Sequence, residues 1–391
     1  METSILDQLK ATDRDRLTQV VRQDLNRPAF EIRDWSVRRL SDKGVDNPEG
    51  LFIFEGYGMD VAHPEAGSQP WSVVVKNFVT PPDETAPDHR WYWKREVMLF
   101  QSGLLERLPG PVRGPRNYGV FETGGNWQIW MEHVNDESPA RWTMDHFRLA
   151  ARELGRWNGR CFQQRIWPVE PWMSREVYRG WDDTCDQVPG WRDGSSPFLQ
   201  RVLSTEDYAR ACHVFDDRER FFAALNSLPQ VFSHYDYMRR NLMIRKNTEG
   251  QDEVVAIDWA MAGMGALGGE LYALIGSSGY MNEVEPEDLP ELEGIVYPEY
   301  LAGLGDEGWD GDPDEIRLAY TAWVGVWFGA VGPALIAYWT QPEYAEKVRK
   351  GFGCEQEGMA ANLGKLCRFG LDRAEEARDR IDALAATRCR H

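Results

Sequence analysis

His234, Asp236 and Asn241 fall within one short stretch, FSHYDYMRRNLMIR, and a second strand-like run, EVVAIDW, carries Asp258. An amide oxygen and a carboxylate are hard ligands of the kind Mg²⁺ takes when it completes its octahedron with water and phosphate. Asp236, five residues before Asn241, would then accept or orient the proton of an attacking hydroxyl. If the two runs pair as a hairpin about KNTEGQ, with the turn centred on Glu249 and Gly250, paired position numbers sum to 499. Asn241 and Asp258 then face each other at the open end of the hairpin. A slip of one residue in register would undo that pairing.

These residues need a scaffold, and the chain has the material for one. Its 391 residues are 42% hydrophobic and include 17 Trp, 16 Phe and 14 Tyr, so a large core can be buried. With 44 Lys and Arg against 63 Asp and Glu, the formal charge is −19, which repels phosphate backbones and anionic membranes. Nucleic acid and membrane partners are not indicated, and a cationic small molecule would be drawn in. The six cysteines form no Cys-x-x-Cys pair and have no histidine at ligand spacing, so neither a disulfide scaffold nor a zinc site is expected. The opening METSILDQLKATDRDR lacks the apolar stretch of a signal peptide, and a cytoplasmic location is expected. Leu318 to Thr340 carries no charge and is long enough to cross a bilayer. Gly325, Gly329, Gly332 and Pro333 interrupt it, and it is read as a buried core helix broken into two pieces near Pro333.

The first third of the chain reads as strands. PAFEIRDWSVRRL and LFIFEGYGMD alternate and form a hairpin or meander, WSVVVKNF is a third strand ending past Lys76, and RNYGVFE and NWQIWMEHV are two more. Between them Trp93, Val97, Phe100 and Leu104 make one helical apolar stripe with Glu96 at its margin. From Phe147, Ala151, Leu154, Asn158 and Cys161 onward the pattern turns helical. The strand pair around Asn241 and Asp258 is the one that stands out there, and helix and loop follow Glu270.

His-x-Asp-x-x-x-x-Asn followed by Ile-Asp-Trp resembles the catalytic and metal-binding segments of the aminoglycoside phosphotransferase and choline-kinase group. The likeness extends in the family's order to VVVK ending at Lys76, YWKREVMLF with Glu96, WQIWMEHV, LGRWNG and AIDWAMAGMGALGGEL, spanning roughly residues 30 to 275. It implies an α+β, protein-kinase-like two-lobed fold: an antiparallel-sheet N-terminal lobe over 1–130 with a helical extension at 1–28, a hinge at 131–138, and a larger, mostly helical lobe over 139–391. By the same resemblance Lys76 contacts the α- and β-phosphates of ATP and pairs with Glu96. Asn241 and Asp258 hold Mg²⁺, Asp236 is the catalytic carboxylate, and His234 braces its loop. The backbone of Glu132, His133 and Val134 meets the adenine edge, and the loop with Gly44 and Gly50 covers the phosphates. The implied reaction moves the γ-phosphate of ATP to a hydroxyl of a small molecule, an aminoglycoside or related natural product, with antibiotic resistance as its setting. Choline, an amino alcohol or a sugar is the alternative acceptor, and a non-catalytic ATP-binding pseudokinase the alternative class.

Three features depart from the family pattern. The 41–50 loop has no G-x-G-x-x-G, Tyr235 stands where glycine is usual, and Gly269-Glu270 replaces the expected Glu-Asp, which leaves Glu270 without a role. A literal G-x-G-x-x-G does occur at Gly263, Gly265 and Gly268. No later strand with an acid about 20 positions on completes a dinucleotide-binding unit, so these glycines are read as a tight turn beneath the metal site. A protein kinase is disfavoured because IDW stands in place of D-F-G and no A-P-E follows. The insert from Trp167 to Trp191, with Trp172, Trp181, Asp182, Asp183 and Asp186, reads either as the wall of a cationic or sugar cleft or as a solvated acidic loop anchored by tryptophans.

Overall fold

The computed structural model describes residues 9–12, 14–40, 50–81 and 85–388. Alternation in the first third produces five strands: β1 (Phe30–Arg39), β2 (Leu51–Asp60), β3 (Gln69–Val79), β5 (Asn117–Thr123) and β6 (Asn126–Glu132). They form one antiparallel sheet in the order β1-β2-β3-β6-β5. Both faces of β3 are buried. Trp71, Val73 and Val75 meet Leu17, Val20 and Val21 of helix α1 (Arg14–Leu25), together with Phe30, Phe54 and Trp130. Each such fully buried aliphatic side chain is worth roughly 1.5–3 kcal/mol, which holds α1 to the sheet. The opposite face presents Val74 and Phe78, beside Ile129 and Met131, to Val97 and Phe100 of helix α2 (Arg95–Ser102). Side chains alternate along a strand, so Lys76 lies on this second face and is aimed at α2. Helix α2 stops at Gly103, whose φ of +65° ends the helix, so Trp93 and Leu104 flank α2 rather than lying in it, though both pack against the core that holds Val97 and Phe100.

The rest of the chain is mainly helical. Helix α3 (Met144–Gln163) buries Phe147, Ala151, Leu154, Asn158 and Cys161, the face its spacing predicts. The structure adds strands that the sequence reading lacks. Beside the expected hairpin of β8 (Leu242–Lys246) and β9 (Asp252–Ala256), the short β4 (Val112–Arg113) joins β9 in parallel, and β7 (Gln230–Ser233) pairs antiparallel with β10 (Gly263–Ala266). Helix α4 (Leu271–Tyr280) follows β10 and is almost wholly buried. The uncharged segment is helix α5 (Pro313–Val324), a π-helical turn at Gly325–Ala330, and helix α6 (Gly332–Trp339), with a bend of 43° at the break. Leu318–Ala337 is buried throughout, against a core that includes Leu363, Leu366, Cys367 and Leu371 of the long helix α7 (Gln356–Arg388). Among the described residues no single helix is long and apolar enough to cross a membrane. The described cysteines, Cys161, Cys185, Cys212, Cys354 and Cys367, are free thiols.

Candidate active site

Three elements bring the charged residues together. Strand β3 aims Lys76 at α2, where Glu96 on the first turn is 1% exposed, and Nζ lies 2.5 Å from Glu96 Oε2. The same Nζ donates to Asp258 Oδ1 at 2.7 Å. Asp258 lies two residues past β9 with φ +60°, a left-handed conformation that turns the chain and its carboxylate toward Lys76. The next amide, Trp259 N, donates to Glu96 Oε1 at 3.1 Å, so Glu96 ties the lysine and the post-β9 loop into one unit. Burial works against the Lys76 charge, but the carboxylates of Asp258 and Glu96 hold its ammonium above the usual lysine range. Crowding by protein raises Asp258, whose side chain remains 45% exposed, and the Lys76 ammonium outweighs that, leaving its carboxyl below the ordinary range.

The loop from His234 to Asn241 supplies the second group. His234 is fully buried, and burial pushes its pKa down to about 4, so the ring is neutral. With Nε2 donating to Ile257 O at 2.9 Å, Nδ1 is the acceptor for Asp236 N at 3.1 Å, and one tautomer serves both bonds. Asn241 Nδ2 donates to Asp236 Oδ2 at 2.6 Å and to Asp236 O at 3.0 Å. Burial, with the Asp258 charge added, pushes the Asp236 carboxyl up to about 7.

The hairpin register differs from the expected one. Leu242 pairs with Ala256 and Lys246 with Asp252, so the position numbers sum to 498. Asn241 O accepts from Ile257 N, and Asp258 lies one residue beyond the pair. The cause is the turn: Asn247 N bonds Gln251 O, and Asn247 Oδ1 accepts from the amides of Glu249 and Gln251, which centres the loop on Glu249 alone. The left-handed kink at Asp258 compensates for the slip and still delivers its carboxylate to the site.

Tyr235 has φ +60°, which explains why glycine suits this position and costs a tyrosine roughly 1–2 kcal/mol. The surroundings hold it there. Its N–H donates to Glu270 Oε1 at 2.7 Å, its carbonyl accepts from Tyr272 Oη at 2.5 Å, and its ring stacks on Trp323 at 5.0 Å. Space for the ring comes from Gly265, where an added Cβ would sit 2.1 Å from Tyr235 Oη. The G-x-G-x-x-G is therefore not the continuous turn the sequence suggests. Gly263 and Gly265 lie in β10 and allow close approach, and only Gly268, with φ +91°, turns the chain.

Glu270, left without a role by its sequence context, is 1% exposed and anchors the loop bearing Asp236 through Tyr235 N. Its signal was a lone carboxylate beside the otherwise apolar run LYALIGSSGY. Burial pushes its pKa up to about 8.

The remaining candidates sit at the edges of this group. Gly50, with φ +81°, accepts from Asn77 N at 3.2 Å, beside the Leu51–Lys76 pair, whereas Gly44 lies outside the described residues. Glu132 ends β6, and its carboxylate takes bonds from Arg113, Arg116 and Arg245 at 3.3, 3.4 and 2.7 Å. His133 Nδ1 and Ser72 Oγ lie 2.9 Å apart, and the backbone of His133 and Val134 lies beyond the ladder. In the insert, Trp172 and Trp191 are buried anchors, while Trp167 is half exposed; the side chains of Asp182 and Asp183 lie outside the described residues.

The donor set fits a divalent cation bound largely through a substrate. Among the described residues no three His, Cys, Asp or Glu side chains cluster as a self-sufficient metal site. Asn241 commits its amide N–H groups to Asp236, which leaves Oδ1, and Lys76 engages Oδ1 of Asp258, which leaves Oδ2. Two protein oxygens are the complement Mg²⁺ uses beside phosphates and water.

An antiparallel sheet whose lysine pairs with a glutamate on the helix packed against it, followed by a helical part carrying the other acidic groups, is the protein-kinase-like fold. The solved structure of a microcompartment-associated aminopropanol kinase superposes with a TM-score of 0.52 at 15% identity, covering 91% of this chain and 98% of its own. An amicoumacin kinase solved with AMP-PNP, Ca²⁺ and amicoumacin gives 0.49 at 13% identity over 86% of this chain and 88% of its own. A spectinomycin phosphotransferase solved with ADP and spectinomycin gives 0.47 at 13% identity, over 90% and 98%. Residues 131–310 match the model of the phosphotransferase enzyme family (APH), the family read from the sequence motifs. No curated protein matches the chain.

Proposed function

We propose that the protein is an ATP-dependent O-phosphotransferase that moves the γ-phosphate of ATP to a hydroxyl of a small molecule. The observation that carries this reading is the joining of Lys76, Glu96 and Asp258 in one ion cluster beside the Asp236–Asn241 pair. Phosphoryl transfer has a loose transition state, so charge neutralisation and positioning supply most of the catalysis. In this scheme Lys76, held by Glu96, binds the α- and β-phosphates. Asn241 and Asp258 would hold Mg²⁺, which would supply positive charge against the phosphate oxygens when bound. Asp236 orients the acceptor hydroxyl and takes its proton as the new O–P bond forms and the bond to ADP breaks. His234 and Glu270 keep the Asp236 loop in place. The backbone of Glu132 to Val134 meets the adenine edge, Gly50 belongs to the phosphate-covering loop, and residues 131–138 act as the hinge between the regions 1–130 and 139–391.

The formal charge of −19 favours a cationic acceptor, and an aminoglycoside or related natural product fits best, in the setting of antibiotic resistance. Free thiols suit a reducing cytoplasm. The test is ADP release from Mg·ATP across aminoglycosides, choline, amino alcohols and sugars, with Asp236→Asn as control. The expected result is acceptor-dependent release by the parent protein, none by the variant, and Mg·ATP affinities within a few fold of each other. Substantial turnover by purified Asp236→Asn would remove Asp236 from its role, and nucleotide binding without transfer to any acceptor would favour a pseudokinase.

A further inference from the structure

Arg95 stands next to Glu96 on the first turn of α2 and is 0% exposed. Among the described residues it makes no ion pair, and its guanidinium is satisfied by backbone carbonyls. Nε donates to Trp172 O at 2.9 Å, Nη1 to Arg90 O at 2.7 Å and to Ala260 O at 3.0 Å, and Nη2 to His89 O at 2.5 Å. Three separate parts of the chain meet there: the lead-in to α2, the insert, and the loop two residues past Asp258. The insert is fixed from its other side as well. Met264 N donates to Ser174 O at 2.7 Å, Ser174 and Gly263 form a parallel bridge, and a Cβ on Gly263 would lie 2.4 Å from Ser174 O.

We propose that Arg95 is a positioning residue that sets the Lys76–Glu96 pair, by strapping the first turn of α2 to the loop after Asp258 and to residues 172–174 of the insert. This inference rests on the phosphotransferase reading for its catalytic consequence, not for its geometry. A buried cation without a carboxylate is retained only where hydrogen bonds compensate it, and here its four bonds form only with all three segments in place together. Glu96 follows Arg95 in the chain, so displacement of the Arg95 fork moves the Glu96 carboxylate away from both Lys76 and Trp259 N. The insert thereby acts on the nucleotide side of the site, as a strut for α2. A lysine cannot substitute, because its donors radiate from one nitrogen and do not span carbonyls lying in several directions.

The test uses Arg95→Lys, which keeps the charge and most of the volume. Basal turnover of Mg·ATP, with water as acceptor, is followed by ADP release in the parent protein, R95K, E96Q and R95K/E96Q. If Arg95 works through Glu96, R95K lowers kcat/KM about tenfold in the parent background and less than about threefold in the E96Q background. Equal losses in both backgrounds, or no loss, would overturn the proposal. Hydrogen exchange on the same variant reads the strap without any turnover. Peptides covering 95–102 and 258–264 should exchange faster in R95K while those covering 356–384 stay as in the parent, and unchanged exchange everywhere would overturn it. A parent protein that neither binds Mg·AMP-PNP nor turns over ATP would sink the functional reading alone, leaving the exchange experiment to decide the role of Arg95.

Discussion

Replacing Glu270 with glutamine tests how the loop bearing Asp236 is held. The carboxyl is 1% exposed and Oε1 accepts from Tyr235 N. Burial raises its pKa from 4.5 to about 8, so between those values the folded protein keeps a proton that the unfolded chain has released. Its contribution to stability is therefore complete below about pH 4.5 and is lost as pH rises toward 8. At about 1.36 kcal/mol per pH unit the upper limit of that loss is about 5 kcal/mol, and roughly 2–5 kcal/mol is expected. Glu270→Gln keeps an acceptor for Tyr235 N and has no charge to lose, so it lacks this slope. Urea unfolding followed by tryptophan fluorescence at pH 5, 6.5 and 8 gives the comparison. The stability of the parent relative to Glu270→Gln should fall steadily across that range. Parallel pH profiles would refute the reasoning, because Glu270 would then ionise alike in the folded and unfolded chain. Glu270→Gln should also retain turnover, whereas Glu270→Ala strands the buried Tyr235 N–H at a cost of about 1–3 kcal/mol and should lower kcat with little change in nucleotide affinity.

Asp258→Ala should lose Mg²⁺-dependent ATP binding in calorimetry, and an unchanged Mg·ATP affinity would remove Asp258 as a metal ligand. Lys76→Ala and Glu96→Ala should each lower kcat/KM by about an order of magnitude or more, with the double variant much less impaired than the product of the two. Full additivity in that cycle would mean that the pair does not act as a unit. Gly265→Ala, whose Cβ would meet Tyr235 Oη at 2.1 Å, should destabilise by about 1–3 kcal/mol in thermal unfolding, and Tyr235→Phe in the same chain should recover part of the loss. An unaltered melting temperature for Gly265→Ala would show that Tyr235 can yield.

The groups with local signatures are legible in the sequence itself. Asp236 and Asn241 share one loop, Lys76 is the charge in a strand apolar on both faces, and Glu96 sits at the margin of an apolar helical stripe, so type and spacing expose them. The hairpin register is not legible there, because it depends on how the Asn247 side chain closes the turn, which hydrophobic pattern does not encode. Strand β10 escapes because Gly-Met-Gly-Ala has low strand propensity and is held by pairing with β7, a tertiary effect. Glu270 and Arg95 escape for another reason: their partners are backbone groups, 35 residues away for Glu270 and 77 and 165 away for two of the four carbonyls around Arg95, and a backbone amide or carbonyl carries no sequence label.

The arginines around Glu132 tie the end of β6 to its neighbours. Arg245 on β8 and Arg113 on β4 belong to the small sheet whose strand β9 leads to Asp258, and both grip a carboxylate that is only 4% exposed at the end of the large sheet. Arg116, which also grips Glu132, reaches on to Asp24 of α1 and carries the same weld to the outer layer. With residues 131–138 as the proposed hinge, rotation of the large sheet against the helical part would be a swing about β6. Strand β1 lies three strands away, about 14 Å at the usual spacing of about 4.8 Å, so a rotation of about 10° displaces it by about 2.5 Å while β6 stays in place. In such a swing the edge of the sheet would move most, Lys76 on β3 about a third as far, and the connection beyond Glu132 would be the still point of the lever.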